Sequence, residues 1–354
     1  MAMGPTGDLQ VATDTFYQGK QMHRIPLIRA AASLLLLAPV LSHAQSIQKY
    51  FGYYGGDVDN PPSSAISEFK DHVNLYQIIN WSGDESSAGR EASKQALLSE
   101  LAKAKASHLH VMIPGWPFLF QGTGSPCFTG DLNASQGWND LTQDMISQGY
   151  LDPQHPDRSV VSAIYLVDEP NLHCMNDVNG TASPILFWAV NTIRANSSTS
   201  SLPIASILGV QSTKFSEIRQ GMQLFDWVGF DDYGISASQW QSELATLKGY
   251  APTKKLIIVP GAQSAATAGQ CVGIDSPNPF IQEMQTDPQA VWLAPFVWFS
   301  KQQCLGVRDI PSLRATYTNV GAGIKAQGCA SSAAAGNFCK PRPIEPILDL
   351  IFND

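Results

Sequence analysis

The feature that most constrains the fold of this chain is a series of short apolar segments that alternate with helical patterns. Eight such segments are predicted as strands, at residues 50–54, 73–79, 109–113, 160–167, 204–210, 227–230, 256–259 and 291–299. The segments between them have helical spacing, as in 92–102, where apolar residues recur every three or four positions. Continuously apolar strands such as 257–259 are typical of parallel strands that are covered on both faces. Eight βα units in about 300 residues predict an α/β protein with a (β/α)8 TIM barrel.

The alternative fold is a doubly wound open sheet. That fold usually has a glycine-rich phosphate turn of the form GxGxxG after its first strand. Here the first predicted strand is followed by Gly55-Gly56-Asp57, which lacks the pattern. The sequence therefore favours the barrel, as a single domain at residues 45–354.

Residues 1–44 are predicted to be a leader. A basic stretch at 22–29 precedes an apolar run at 30–41 and the small-residue site Ser42-His43-Ala44, which is the order of a secretory signal peptide cleaved after Ala44. The apolar run is shorter than the roughly 18–20 residues of a spanning helix. Residues 1–21 are interpreted as an over-extended start, since Met22 also fits as the first residue. We expect a secreted or periplasmic protein that has no membrane attachment after cleavage.

The charge of the chain limits its partners. Loss of residues 1–44 removes three cations and two anions and moves the net charge from −8 to −9. An acidic protein without a cluster of Lys and Arg is a poor partner for nucleic acid or an anionic membrane. Neutral substrates fit better, and we expect a monomer.

The six cysteines are an even number and include no Cys-x-x-Cys pair, which disfavours a zinc ribbon or a redox motif. In an exported chain they predict three disulfides, for which the sequence alone allows 15 pairings. We expect pairing between neighbours along the chain, as Cys127–Cys174, Cys271–Cys304 and Cys329–Cys339. A barrel brings the loops of the first two pairs together.

The candidate site residues follow the predicted strands, because active sites of TIM barrels lie at the C-terminal strand ends. They are carboxylates, an amide and aromatic rings: Asp57, Trp81, Trp116, Asp168, Glu169, Asp231, Asp232, Tyr233, Gln263 and Trp298. Cleavage of a glycosidic bond needs one acid to protonate the leaving oxygen and a second carboxylate as nucleophile or base. Indole rings can cover the apolar faces of sugars. Taken singly, each Asp is more often a cap or loop brace, and each Trp more often core packing.

The segment 164–170, Ile-Tyr-Leu-Val-Asp-Glu-Pro, resembles the fourth strand of the large retaining clan of TIM-barrel glycoside hydrolases. In that clan Asn-Glu or Asn-Glu-Pro ends the strand, and the Glu is the acid/base. The resemblance implies that Glu169 is the acid/base and that Asp168 holds a substrate hydroxyl. Asp231-Asp232-Tyr233 resembles the polar-x-Tyr of the sixth strand, and Trp298 matches the sugar platform of the eighth. The motifs are short, but they are spread over the whole barrel.

The chain departs from this clan at strand seven, where Gln263 stands in place of the nucleophilic Glu and the next acid is Asp275. Three hypotheses follow. In the first, Glu169 pairs with Asp231 or Asp232, and a separation of roughly 6.5–9.5 Å would imply inversion and roughly 5–5.5 Å retention.

In the second hypothesis, adjacent Asp168 and Glu169 cleave N-acetylated sugars by a substrate-assisted route, as in barrel hexosaminidases. In the third, the barrel binds glycans without catalysis. Because side chains alternate along a strand, only one of Asp168 and Glu169 is expected to face the barrel mouth unless Pro170 breaks the strand. The same constraint applies to Asp231 and Asp232.

Other chemistries fit the sequence less well. His108 and His110 share a strand face, as in a His-x-His metal site, but no further histidine lies at a later strand end, so packing is the favoured role. Ser212 and Ser264 lack a Gly-x-Ser-x-Gly context. We therefore predict a glycoside hydrolase that uses no metal or cofactor and acts on a carbohydrate, with a polysaccharide lyase or esterase as distant alternatives.

Overall fold

The computed structural model describes residues 48–55, 62–79, 87–121, 127–130, 134–209, 212–265, 271–300 and 303–331. Eight parallel strands form one sheet: β1 (Tyr50–Phe51), β2 (Leu75–Gln77), β3 (His110–Pro114), β4 (Val161–Asp168), β5 (Ile204–Gly209), β6 (Trp227–Asp231), β7 (Lys255–Ile258) and β8 (Ala290–Leu293). Their order in the sheet is β1-β8-β7-β6-β5-β4-β3-β2. Asn74 N–H donates to the carbonyl of Phe51 at 3.0 Å and links the two ends of this series. The sheet is therefore a nearly closed barrel, and the predicted fold is confirmed.

Each strand is followed by a helix: α1 (Pro62–Phe69), α2 (Ser87–Ala106), α3 (Ala134–Ser147), α4 (Pro184–Ala195), α5 (Arg219–Met222), α6 (Ala237–Tyr250), α7 (Pro277–Thr286) and α8 (Pro311–Ser331). A 3-10 helix, Ser212–Ile218, precedes α5. Proline stands at the start of α4, as the Ser183-Pro184 pair predicts, because its missing N–H has no partner there in any case. No helix of the described residues is long and apolar enough to cross a membrane.

The barrel separates two apolar clusters. The inner cluster is built from strand residues and their direct extensions, including Tyr54, Tyr165 and Ile257, and it fills the barrel. The outer cluster joins the other faces of the strands to the helices, with residues such as Leu166 and Trp138. Parallel strands buried on both faces account for the continuously apolar runs in the sequence.

The eighth strand is shorter than predicted. It ends at Leu293, six residues before the predicted end at 299, and Ala294 and Pro295 follow it. Proline has no N–H to donate to a ladder and therefore favours the end of a strand. Beyond it, Phe296 makes only isolated bridges, to Tyr54 and Gly261. This end point changes which aromatic residue of the segment lies next to the barrel mouth.

Two disulfides join the loops that follow the strands. Cys127 pairs with Cys174 and Cys271 pairs with Cys304, with Cα–Cα distances of 5.2 and 5.7 Å. Both pairs are those predicted from neighbouring loops. The predicted Cys329–Cys339 pair cannot be followed, since residue 339 lies outside the described residues, as does the predicted leader.

Candidate active site

Asp168 lies inside the barrel at the end of β4. It reaches this side because the register between β4 and β5 shifts between Tyr165 and Val167. Tyr165 belongs to the inner cluster, whereas Leu166 and Val167 both belong to the outer one, so the next residue again points inward. The carboxylate of Asp168 accepts hydrogen bonds from the hydroxyls of Tyr165, at 2.6 Å, and Tyr54.

Glu169 also turns towards the inside of the barrel, although it is adjacent to Asp168. Its φ of 42° lies in the left-handed region, and its N–H donates to the carbonyl of Ile207 at 2.9 Å. A Cβ placed on Gly209 would lie 2.8 Å from Glu169 Oε1, so the carboxyl group occupies space that this glycine leaves open. The strand has ended at Asp168, and alternation no longer applies to Glu169. This is the exception that the sequence left open for a strand break at Pro170.

Asp231 and Asp232 lie on opposite faces of the strand end, as alternation requires. Trp227 and Tyr233 contact the inner cluster, and Asp231 lies on the same face, where the Tyr233 hydroxyl donates to Asp231 Oδ2 at 3.3 Å. Asp232 faces α6 instead, where the Glu243 carboxyl shares a hydrogen bond with it. Of the two candidates for the second carboxylate, Asp231 is therefore the one on the inner face at the mouth, and Asp232 lies on the outer face beside Glu243.

The carboxyl groups at the mouth resist ionisation. Burial raises the pKa of Asp231 well above its ordinary value, and the charges of Glu169 and Asp168 raise it further. Burial and the charge of Asp168 also raise the pKa of Glu169, while His173 lowers it. Two interacting carboxyl groups titrate as a pair and hold one proton between them over a range of pH. One of them can then act as an acid while the other is ionised.

The surroundings of these carboxyl groups are aromatic and poor in cations. No Lys or Arg of the described residues is among the main charges that shift the pKa of Asp168, Glu169 or Asp231. Burial keeps the hydroxyl of Tyr54 protonated by raising its pKa well above 10.0, so that it remains a donor. The site is thus rich in carboxyl groups, and its low polarity favours their protonated forms.

The aromatic residue of the eighth strand end is Phe296. Its ring is half-buried and stacks on Tyr233 at a centroid distance of 5.4 Å and an angle of 20°. Trp298, the predicted sugar platform, is fully buried in the outer cluster and donates from Nε1 to Glu68 of α1 at 2.8 Å. Because β8 ends at Leu293, Trp298 packs between the barrel and α1, and its predicted role is wrong.

The remaining predicted residues have different places. Gln263 is 7% exposed in the strand Ala262–Ala265 that follows β7, opposite Gly273. Trp116 is half-buried at the start of the short helix Trp116–Leu119, which follows β3, and packs edge to face against Phe128. Asp275, the next acid after Gln263, is a loop brace that accepts from the N–H groups of Gly261 and Gly234. Asp57 and Trp81 lie outside the described residues.

Sequence reasoning missed four residues of this site: Tyr54, Gln77, Tyr165 and Phe296. Gln77 is fully buried on β2, and its Oε1 accepts from Gly55 N–H at 3.1 Å. Among the described residues, neither its buried Nε2 nor the buried Oδ1 of Asp231 has a hydrogen-bond partner. A single polar residue in the otherwise apolar centre of β2 was the available signal for Gln77. The described residues contain no group of three or more His, Cys, Asp or Glu placed to hold a metal ion.

No family model matches the chain, and no curated protein matches it in sequence. Among solved structures, it is similar to a xylanase from Cellvibrio japonicus, with 11% identity, 78% of this chain and 97% of the other covered, and a TM-score of 0.48. It is also similar to a β-1,3-glucanosyltransferase of Rhizomucor miehei, with 13% identity, coverages of 70% and 86%, and a TM-score of 0.45. Fungal β-1,4-galactanases match with 13% identity, coverages of 67% and 80%, and a TM-score of 0.44. At these identities and TM-scores, the likeness carries no conclusion about the activity of this chain.

Proposed function

We propose that this protein is an exported glycoside hydrolase that cleaves O-glycosidic bonds of an oligo- or polysaccharide. The observation that carries the proposal is the pair formed by Glu169 and Asp231. Each lies at a C-terminal strand end, and burial raises the pKa of each carboxyl group. Glycosidic cleavage needs such a pair, one member protonated and the other charged. The two disulfides support an oxidising compartment outside the cytoplasm.

Glu169 is the general acid/base in this proposal. It is half-buried, whereas Asp231 is 7% exposed and lies deeper, so Glu169 is better placed to reach a leaving oxygen. A raised pKa keeps a carboxylic acid protonated closer to neutral pH, where it can donate its proton. Asp231 is the second carboxyl, and Asp168, held by two tyrosine hydroxyls, is fixed to accept from a substrate hydroxyl.

The substrate in this proposal is an uncharged carbohydrate. A uronic acid would place its carboxylate beside Asp168, Glu169 and Asp231, where burial already disfavours negative charge. A further negative charge among these carboxyl groups opposes binding. The stacked rings of Tyr233 and Phe296 offer an apolar surface of the kind that sugar rings cover.

A second candidate is a substrate-assisted enzyme for N-acetylated sugars. It is favoured by one observation, the inward placement of both Asp168 and Glu169, which a regular strand would not allow. In that route Glu169 protonates the leaving oxygen and Asp168 orients the acetamido group that attacks the anomeric carbon. The alternative in which the protein is not an enzyme is a barrel that binds carbohydrate without cleaving it.

The test is hydrolysis of a panel of neutral, N-acetylated and uronic acid glycans by wild type and by Glu169→Gln. We expect cleavage of neutral glycans and a loss of roughly 10²–10⁴-fold in the variant, the usual contribution of a general acid. Cleavage confined to N-acetylated sugars would select the substrate-assisted route. Glycan binding without cleavage would support a binding barrel, and undiminished cleavage by Glu169→Gln would refute its assignment as the acid.

A further inference from the structure

The turn that carries Glu169 is tied to the neighbouring strand by one side chain, that of Asn171. Asn171 Nδ2 donates to the carbonyl of Gly209 at 2.8 Å, and Gly209 N–H donates to Asn171 Oδ1 at 2.9 Å. Asn171 is 4% exposed, so water does not compete for either bond. A single amide thus satisfies both backbone groups of the last residue of β5, as another strand would.

Gly209 lies between the two carboxyl groups of the proposed acid pair. On one side it is the Cα partner of Asp231 in the ladder between β5 and β6. On the other side, its missing Cβ leaves the space taken by Glu169 Oε1, 2.8 Å from where that atom would stand. Besides the bond from Glu169 N–H to the Ile207 carbonyl, the turn is therefore linked to Asp231 through the amide of Asn171 and one rung of the sheet.

We propose that Asn171 is a positioning residue, which fixes the separation of the Glu169 and Asp231 carboxyl groups by clamping the turn after β4 to Gly209. The inference rests on the proposed function, since that separation governs the course of glycoside hydrolysis. Glu169 has a left-handed backbone, which a residue with a side chain keeps only where its surroundings impose it. The Asn171 clamp is such a constraint, two residues away.

The barrel contains a matched control for this clamp. Asn74, at the start of β2, accepts from Phe51 N–H at 2.7 Å and donates to the carbonyl of Lys49 at 3.1 Å. It is 8% exposed and ties β2 to β1 as Asn171 ties β4 to β5. No proposed catalytic group adjoins it. Asn74→Ala therefore carries the structural cost of losing a buried two-bond amide, without the positioning effect.

The first measurement needs no substrate. The side-chain carboxyl carbon of Glu169 is titrated by ¹³C NMR in wild type, Asn171→Ala and Asn74→Ala, with its signal assigned by loss in Glu169→Gln. We expect the raised pKa of wild-type Glu169 to fall towards the ordinary value in Asn171→Ala, because the carboxyl group leaves its buried place beside Asp168. Asn74→Ala should keep the wild-type pKa. An unchanged pKa in Asn171→Ala would overturn the proposal.

The second measurement uses the substrate found in the glycan panel. Asn171→Ala should lower kcat by roughly 10²-fold, the cost of misplacing a catalytic group by about 1 Å, with little change in KM. The alkaline limb of its pH profile should move to lower pH, whereas Asn74→Ala should lower the Tm but keep kcat and the limb. Equal losses of kcat in the two variants would overturn the positioning role.

Gly209→Ala is a further variant in case Asn171→Ala does not fold. Its added methyl group displaces Glu169 Oε1 and the Leu172 side chain, while the backbone groups that Asn171 binds are kept. A lowered Glu169 pKa and a lowered kcat would show that both depend on how closely the turn after β4 lies against Gly209, which is the contact that Asn171 clamps, and wild-type values for both refute the proposal. Failure of the proposed function is separate, because it appears as undiminished cleavage by Glu169→Gln whatever the clamp variants do.

Discussion

Both ends of the barrel bury titratable groups, but the hydrogen bonding of these groups differs between the two ends. At the N-terminal end, His110 Nδ1 lies 2.7 Å from the hydroxyl of Ser162, and its ring meets Tyr50 edge to face. At the C-terminal end, Asp231 has one buried oxygen with no hydrogen-bond partner in the part of the chain that the structure describes, and the charges of Glu169 and Asp168 raise its pKa. A buried polar group without a partner costs free energy, so a folded protein keeps few of them.

Burial shifts the pKa values of the titratable groups at the two ends in opposite directions. It lowers the pKa of His110 from 6.5 to about 4, so the N-terminal end excludes a positive charge. It raises the pKa of Asp231, so the C-terminal end excludes a negative charge. The two ends therefore differ in whether the buried group has its hydrogen-bonding capacity filled, not in whether it is buried. The N-terminal histidine has a hydrogen-bond partner in the fold, and the C-terminal carboxyl group keeps bonding capacity for something else.

The largest effect is expected from replacing, one at a time, the two adjacent aspartates at the end of β6. Asp231→Asn should lower kcat by roughly 10²–10⁴-fold, because it removes a carboxyl group of the proposed acid pair. Asp232→Asn, on the outer face beside Glu243, should keep most of the activity. Steady-state kinetics on the substrate from the panel measures both. A larger loss in Asp232→Asn would mean that the C-terminal end is assigned to the wrong face.

At the N-terminal end, His110→Asn should reduce the sensitivity of the protein to acid. The folded pKa of His110 lies below the unfolded one, so its stabilisation is complete above pH 6.5 and is lost as the pH falls towards about 4. A shift of this size corresponds to about 3 kcal/mol. Urea unfolding between pH 4 and pH 7 measures the difference from wild type.

His72, whose pKa is also lowered to about 4 by burial, is present in both proteins and does not affect this difference. Activity should be unchanged in His110→Asn, because the residue begins β3 at the far end of the barrel from the site. The same acid sensitivity in variant and wild type would contradict the interpretation of His110 as a buried neutral base.

At the C-terminal end, the sign of the pH effect is reversed. The folded pKa of Asp231 is raised, so the stability linked to its proton is complete below the unfolded value near 3.8 and is lost as the pH rises through the folded pKa. Asp231→Asn removes that loss and should be more stable than wild type at pH 8, by about 1.4 kcal/mol for each unit of the shift. Near pH 3 the advantage should disappear. Parallel stability curves for the two proteins over this range would contradict a buried, proton-holding Asp231.

Much of the fold was predictable because its signals are local. Seven of the eight strands were placed within three residues at both ends, since continuous apolar runs and turn residues are properties of short segments. The end of β8 was not, because the apolar residues of the run continue past Pro295 into the outer cluster. That error assigned Trp298 to the mouth, where Phe296 lies instead.

The site was predictable in its chemistry and less so in its geometry. Asp168 and Glu169 were named from their place after an apolar strand, but alternation suggested that only one of them faces the mouth. The shift between Tyr165 and Val167 and the left-handed φ of Glu169 bring both inside. Neither feature has a pattern in the sequence, because each is imposed by the register of the neighbouring strand.

By itself, the sequence determined that this chain forms eight βα units and that carboxyl groups collect at one end, whereas it favoured the Cys127–Cys174 and Cys271–Cys304 pairs among 15 possible pairings without fixing them. These properties follow from hydrophobic periodicity and from the rule that parallel strands end on the same side. Only the tertiary structure decided which carboxyl groups meet. Asp231 rather than Asp232, and Phe296 rather than Trp298, face the mouth because the strand register and the point where β8 leaves the sheet set the direction of each side chain.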